Sequence, residues 1–228
     1  MEGFFVTGTD TGIGKTRVSA GLLKACAKLG RKSVGMKPVA SGAAMTPEGL
    51  RNEDALLLQS AASEKRAYGL VNPYCFAPAV APHLAAMDAG VEVSMDSLLA
   101  AYSELCKGAD TVVVEGVGGW QVPLSPMLEL PDLARELDLP VILVVGMRLG
   151  CLNHAALTAR ALRTDGFTLA GWVANAIDPA FERPEANLAT LEAELHAPLL
   201  GRLPHAPKAG VAAVAEELMT ACRRLLNR

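Results

Sequence analysis

Phe4-Phe5-Val6-Thr7-Gly8-Thr9-Asp10-Thr11-Gly12-Ile13-Gly14-Lys15-Thr16 runs from an apolar, strand-like stretch through three glycines into a lysine and a threonine. A strand, a glycine-rich turn and the start of a helix, in that order, make the context of a phosphate-binding loop. Glycines let backbone N–H groups turn toward phosphate oxygens, and the helix N-terminus adds a favourable field. Lys15 is placed to reach the β- and γ-phosphates of a nucleotide, and the Thr16 hydroxyl to ligate Mg²⁺. The strict pattern G-x-x-x-x-G-K-[ST] needs glycine at position 9, where Thr9 stands. The leading glycine, Gly8, is one residue earlier.

Outward from this loop, short apolar runs alternate with longer helix-like stretches to the end of the chain. The strands expected are Phe4–Thr7, Ser33–Lys37, Thr111–Glu115, Val141–Gly146, Leu169–Asn175 and, more weakly patterned, Leu199–Leu203. Most are apolar throughout, as parallel strands covered on both faces should be. Helices are expected over Lys15–Leu29, Asn52–Ala62, Ser94–Lys107, Leu152–Thr164, Pro184–Leu195 and Val211–Leu226. The alternation predicts an α/β fold: a mostly parallel sheet with helices on both faces, of the phosphate-loop NTPase kind. With 228 residues and no repeat or linker, the whole of 1–228 reads as a single phosphate-loop α/β domain. The Ala- and Pro-rich stretch Ser63–Gly90 gives no clear pattern.

In an open α/β sheet the ligand sits beyond the carboxyl ends of the strands. Polar residues cluster at those ends: Thr7–Thr16, Lys37–Ser41, Glu115–Gly119, Gly146–Asn153 and Asn175–Asp178. Lys37 is followed by Pro38, which biases it to an extended conformation at the exit from its strand. Glu115 ends an apolar strand beside a run of glycines and is a candidate Mg²⁺ ligand, as is Asp54. Asp54 is equally read as an acidic residue favouring the first turn of its helix. Ser41 is near enough in sequence to Lys37 to donate a hydrogen bond in the same place.

Together these residues resemble the dethiobiotin synthetase family. The likeness rests on Val6–Thr11 with Gly14-Lys15-Thr16, Lys37-Pro38-Val39-Ala40-Ser41-Gly42, Thr46–Asn52 and Val71-Asn72-Pro73-Tyr74. It continues in Val114-Glu115-Gly116 with Gly118-Gly119-Trp120, Leu149–His154, Leu169–Asn175 and Ala197–Gly201. The resemblance implies an enzyme that joins CO₂ to 7,8-diaminononanoate with ATP and Mg²⁺, giving dethiobiotin, ADP and phosphate. It implies catalytic roles for Lys15 and Lys37, and a metal held by Thr16, Asp54 and Glu115. Nucleotide binding falls to Gly12, Ile13, Gly14, Lys15, Thr16, Arg17, Asp54, Glu115, Gly116, Val117 and Gly118. Asn175 and Ala176 would read the adenine edge, with Pro204, His205 and Ala206 near the base. Substrate contacts fall to Thr11 and Ser41, and to Gly150, Cys151, Leu152 and Asn153 from the neighbouring subunit of a homodimer. Many members of the family carry an acidic residue where this chain has Gly12.

Composition narrows the rest. Lys+Arg number 21 against 24 Asp+Glu, a net −3 without charge runs, which disfavours nucleic acid and membrane surfaces as partners. The five cysteines show no CxxC spacing, and the four histidines no metal-ligand spacing. No apolar run is long enough for a membrane span, and Met1-Glu2-Gly3-Phe4-Phe5 lacks the basic start of a signal peptide. A cytoplasmic location is expected. Two rivals stay open at this point. One is a nucleotide-dependent switch; Asn175-Ala176-Ile177-Asp178 has the outer residues of N-K-x-D, but its lysine is missing and Asp10 replaces the extra lysine of switch ATPases. The other is a different amide- or carbamate-forming ligase on the same scaffold.

Overall fold

The structure is a computed structural model that describes residues 2–206 and 210–226. The chain begins with β1 (Glu2–Gly8), α1 (Lys15–Lys28), β2 (Ser33–Met36), β3 (Val39–Ala40), β4 (Ala44–Thr46) and β5 (Gly49–Arg51). It continues with α2 (Glu53–Ala61), α3 (Tyr68–Val71), β6 (Tyr74–Cys75), α4 (Pro82–Asp88), α5 (Met95–Leu105) and β7 (Thr111–Glu115). Then come β8 (Pro123–Ser125), β9 (Leu128–Glu129), α6 (Leu130–Leu137), β10 (Val141–Met147) and α7 (Cys151–Thr164). The last elements are β11 (Leu169–Ala176), α8 (Pro184–Leu195), β12 (Leu199–Leu203) and α9 (Val211–Leu226).

Six strands form one sheet in the order β12-β11-β10-β1-β7-β2, and every pairing in it is parallel. All six expected strands are present, and the sheet is wholly rather than mostly parallel. Alternate side chains of each strand pass to opposite faces. Phe4, Val6, Val113, Ile142, Val144 and Val173 pack under α1, α2 and α9. On the other face Phe5, Val112, Val114 and Val141 meet α4, α5 and α6, while Leu143, Val145, Trp172 and Ala174 meet α7 and α8. This double burial is why the strand sequences carry no polar alternation.

The N-terminal strand lies inside the sheet, with β10 on one side and β7 on the other. Sheet order therefore gathers the carboxyl ends of β1, β7 and β10 side by side. Above them α1 packs closely on α9, because Gly21 leaves room for Val214: a Cβ at Gly21 would lie 2.4 Å from Val214 Cγ1.

Several boundaries differ from the sequence reading. The second strand stops at Met36, so Lys37 stands just past it, its N–H donating to Val71 O at 2.7 Å. Asn52 caps α2 rather than opening it, its side chain accepting from the Ala55 N–H at 3.2 Å. The helix expected from Leu152 begins at Cys151. The opaque stretch contains α3, β6 and α4, the last with Pro82 in its first turn, where a proline's missing N–H is harmless. Helix α6 was not expected; it starts with a reciprocal pair of side-chain caps between Glu129 and Asp132.

Candidate active site

A cavity of about 1030 Å³ opens at the carboxyl ends of β1, β2 and β7. Its lining brings together residues far apart in sequence: Thr11, Lys15 and Thr16; Lys37 and Ser41; Asp54; Glu115 and Gly118. Gly12, Gly14, Arg17 and Val117 line it as well. Ile13 does not; its side chain is 1% exposed and packs into the core.

The loop keeps its shape through named contacts. Gly12 and Gly14 hold φ of 72° and 92°, a region open to glycine with no steric penalty. Asn175 lies directly beneath, its Nδ2 donating to Ile13 O at 2.7 Å. Its Oδ1 is buried without a partner among the described residues. The Thr9 N–H donates to Val144 O at 3.1 Å, tying the loop to β10.

Lys15 is buried, and its Nζ donates to Asp10 O at 2.8 Å and Gly118 O at 2.5 Å. Burial, reinforced by the nearby Lys37 charge, brings its ammonium down to about 8. Lys37 is 4% exposed and Glu115 fully buried. Its Nζ lies 2.6 Å from Glu115 Oε1, 3.0 Å from Asp54 Oδ2 and 3.3 Å from Gly116 O. Burial pulls the Lys37 ammonium down, but the Glu115 and Asp54 carboxylates outweigh it and hold it above the ordinary lysine value. Asp54 is the mirror case: burial raises it, and Lys37 draws it below the usual carboxylate range. Thr16 Oγ1 donates to the same Glu115 oxygen at 2.8 Å.

These residues fit a Mg²⁺ site. Glu115 Oε2 is buried with no hydrogen-bond partner among the described residues. Among the described residues no group of three or more His, Cys, Asp and Glu side chains gathers round a metal position. Mg²⁺ suits such a sparse set, because it keeps several waters and is commonly held by one or two carboxylates plus substrate phosphates.

Three positioning residues had no role assigned from sequence. Asn72 Nδ2 donates to Lys37 O at 2.7 Å, so the Lys37 backbone is clamped on both its N–H and its carbonyl. Asn52 Nδ2 donates to Ser41 O at 3.3 Å. Arg148 Nη2 lies 2.5 Å from Asp10 Oδ2, and Asp10 Oδ1 accepts the Thr11 N–H at 2.7 Å. The signal for Arg148 was available: an acidic residue inside an anion-binding loop calls for a cation beside it.

The remaining expected residues fall elsewhere. Ala176, Pro204 and His205 line a second cavity of about 440 Å³ with Met147, Phe181 and Leu188. Asn175 faces the opposite side of β11, toward the phosphate loop. Arg17 Nη1 reaches Pro204 O at 3.5 Å, bridging the loop helix to the residues after β12. Ala206 lines neither cavity, and the same holds for Gly150, Cys151, Leu152 and Asn153 within one chain. Cys151 is buried, and its N–H is taken by Arg148 O at 3.0 Å. The N–H groups of Leu152 and Asn153 find no acceptor among the described residues. Leu149, just before them, is 90% exposed.

A family model described as an AAA domain matches residues 2–212. A protein of Pseudomonas aeruginosa (strain UCBPP-PA14), named ATP-dependent dethiobiotin synthetase BioD, is 57% identical over 219 residues, 96% of each chain. A protein of the same name from Xanthomonas oryzae pv. oryzae (strain PXO99A) is 53% identical over 94% of this chain and 96% of its own. In fold the chain is similar to the MinD cell division protein of Aquifex aeolicus, with a TM-score of 0.63 and 15% identity over 100% of this chain and 98% of that one. A ParA family ATPase from Chlorobium tepidum TLS gives a TM-score of 0.62 at 11% identity, over 97% of this chain and 98% of that one.

Proposed function

The chain belongs to the AAA-domain family and to the ATP-dependent dethiobiotin synthetases, and from that premise we propose that the large cavity is where it performs their reaction. The reaction is the ATP-dependent joining of CO₂ to 7,8-diaminononanoate, closing the cyclic urea of dethiobiotin with release of ADP and phosphate. One observation carries the placement: two buried lysines, two carboxylates and the Thr16 hydroxyl, drawn from separate segments, converge on a single cavity above the phosphate loop.

One amine of the substrate adds to CO₂ and loses a proton, and an oxygen of the resulting carbamate attacks the γ-phosphorus, breaking its bond to the bridging oxygen and expelling ADP. The second amine then attacks the mixed anhydride and expels phosphate. No nucleophile from the protein is needed, so the residues act by positioning and charge neutralisation. Backbone N–H groups from Gly12 to Thr16 cradle the phosphates. Lys15 exchanges its two carbonyl partners for phosphate oxygens, and Lys37 neutralises charge on the group in transfer. Ser41, whose hydroxyl makes no hydrogen bond among the described residues, faces the cavity beside Lys37 and suits the carbamate. Thr16, Asp54 and Glu115 would hold Mg²⁺, which supplies Lewis-acid neutralisation of the β- and γ-phosphate oxygens. The orphaned Oδ1 of Asn175 offers an acceptor to the exocyclic amine of adenine.

The active form is a C₂ homodimer. Gly150–Asn153 stand outside their own chain's cavity, and the Leu152 and Asn153 N–H groups, without acceptors among the described residues, suit a substrate carboxylate in the neighbouring protomer's site. With ATP as co-substrate and its cysteines unpaired, the protein works in the cytoplasm. Incubation of the purified protein with 7,8-diaminononanoate, bicarbonate and Mg·ATP should yield dethiobiotin by mass. A folded protein that hydrolyses ATP at the same rate with and without the diamine, and makes no such product, is a switch and not this enzyme.

A further inference from the structure

The Lys37 ammonium and the expected metal draw on the same oxygens. An ammonium has three N–H donors, and those of Lys37 have three acceptors: Glu115 Oε1, Asp54 Oδ2 and Gly116 O. Glu115 Oε1 accepts a second hydrogen bond, from the Thr16 hydroxyl, so all three groups assigned to Mg²⁺ are joined through Lys37 or its nearest partner. Lys37 and Glu115 are 4% and 0% exposed, so little water screens that pair, while Asp54 faces the cavity with 44% of its side chain exposed.

Resting on the assignment of the metal to these residues, we propose that Lys37 acts as a displaceable internal cation that keeps bare Mg²⁺ out of the site until a nucleotide arrives. Two carboxylates and one ammonium carry a net charge of −1; a divalent ion entering there must displace a bound positive charge or sit beside it. Either is unfavourable at hydrogen-bond distances from the buried Lys37–Glu115 pair. The γ-phosphate changes the balance. It offers Lys37 anionic oxygens of its own, and as the ammonium turns to them the two carboxylates and Thr16 are released to the metal. The metal therefore enters together with the nucleotide, and its arrival leaves Lys37 on the group that is to be transferred. The lysine's two roles, sealing the site and stabilising the transferring phosphoryl group, are exclusive in time.

Mn²⁺ binding to the nucleotide-free protein, followed by loss of the free aquo-ion EPR signal, tests this without any turnover. Wild type should bind Mn²⁺ weakly, and Lys37→Met should bind it about tenfold or more tightly, because a neutral side chain leaves both carboxylates uncompensated. Lys37→Arg, which keeps the charge, should stay near wild type. Lys37→Met combined with Glu115→Gln should lose the gain. If Lys37→Met does not fold, Lys37→Gln serves in its place, being neutral yet able to hydrogen-bond. Equal Mn²⁺ affinity in wild type and the neutral variant overturns the proposal, and so does a gain that survives Glu115→Gln. Dethiobiotin formation by the wild-type protein is measured separately; if product forms while Mn²⁺ affinity is indifferent to residue 37, the enzymatic reading stands and the internal-cation reading falls.

Discussion

Arg148 Nη2 lies 2.5 Å from Asp10 Oδ2 and so joins the loop after β10 to the phosphate loop after β1. Both residues are partly exposed, at 39% and 45% of their side chains, so the pair adds little to stability. Its position matters more. Asp10 keeps a full negative charge: its carboxyl is held below the ordinary value first by the Thr11 N–H and then by Arg148. A bare carboxylate there would oppose an incoming triphosphate. Arg148→Gln should therefore raise KM for ATP roughly three- to tenfold at low salt, and less at high salt. Asp10→Asn added to Arg148→Gln should bring KM for ATP back to near wild type. A double variant no better than Arg148→Gln alone would show that the arginine acts through something other than the Asp10 charge.

The two buried lysines give a prediction on rate. Lys15→Ala and Lys37→Ala should each lower kcat by ~10²–10³, the usual consequence of removing a charge that stabilises a transferring group. Circular dichroism checks that the variants fold. Near-wild-type kcat in a folded Lys37→Ala protein would refute its catalytic role.

Gly14 makes a backbone prediction. Its φ is 92°, and a Cβ there would lie 2.2 Å from Asn175 Nδ2. Gly14→Ala should force apart the hydrogen bond between Asn175 and Ile13 O, lower stability by about 1–3 kcal/mol and weaken nucleotide binding. Thermal melting and the Kd of a fluorescent ATP analogue measure the two effects. Unchanged values in both would mean the loop does not need its present shape.

The shared site can be tested by complementation. Lys37→Ala supplies an intact Gly150–Asn153 segment, and Asn153→Leu in the same segment supplies an intact Lys37. Random pairing after mixed refolding makes half the dimers heterodimers, each with one complete site of two. If the segment variant is severely impaired alone, activity should recover to roughly a quarter of wild type. Demonstrated subunit exchange with no gain over the separate variants would place the whole site within one chain.

The main sheet was legible because its strands are buried on both faces. Val112-Val113-Val114 and Val141–Val145 admit no amphipathic reading, and their lengths suit strands rather than helices. The phosphate loop, Lys37 and Glu115 were legible because each follows such a run. Helix α6 was not: it has eight residues, a proline in its first turn, and a start set by the Glu129–Asp132 capping pair, which looks like polar loop sequence until it is folded. Asn72 was equally hidden. Its side chain serves the carbonyl of Lys37, 35 positions earlier in the chain, and no local pattern records a contact of that kind. Asn175 has a second contact of the same hidden kind: its Nδ2 turns toward Ile13 O because its strand alternates, with Ala174 and Ala176 on the far face.

The place of β1 in the sheet bears on how the protein is made. Phe5 pairs with Val114 on one side and with Val141 on the other, so β1 must wait during synthesis for two neighbours that lie more than a hundred residues further along. Until β7 has emerged, Glu115 is missing from Lys37 and Thr16, and until β10 has emerged Thr9 lacks the carbonyl that anchors its loop. Pairings so distant in sequence form late and slowly. A nascent chain therefore carries the phosphate loop well before the residues that complete it, and gains the ability to bind only once β10 has emerged. Capture of ATP by a growing chain would thus mark the closing of the sheet.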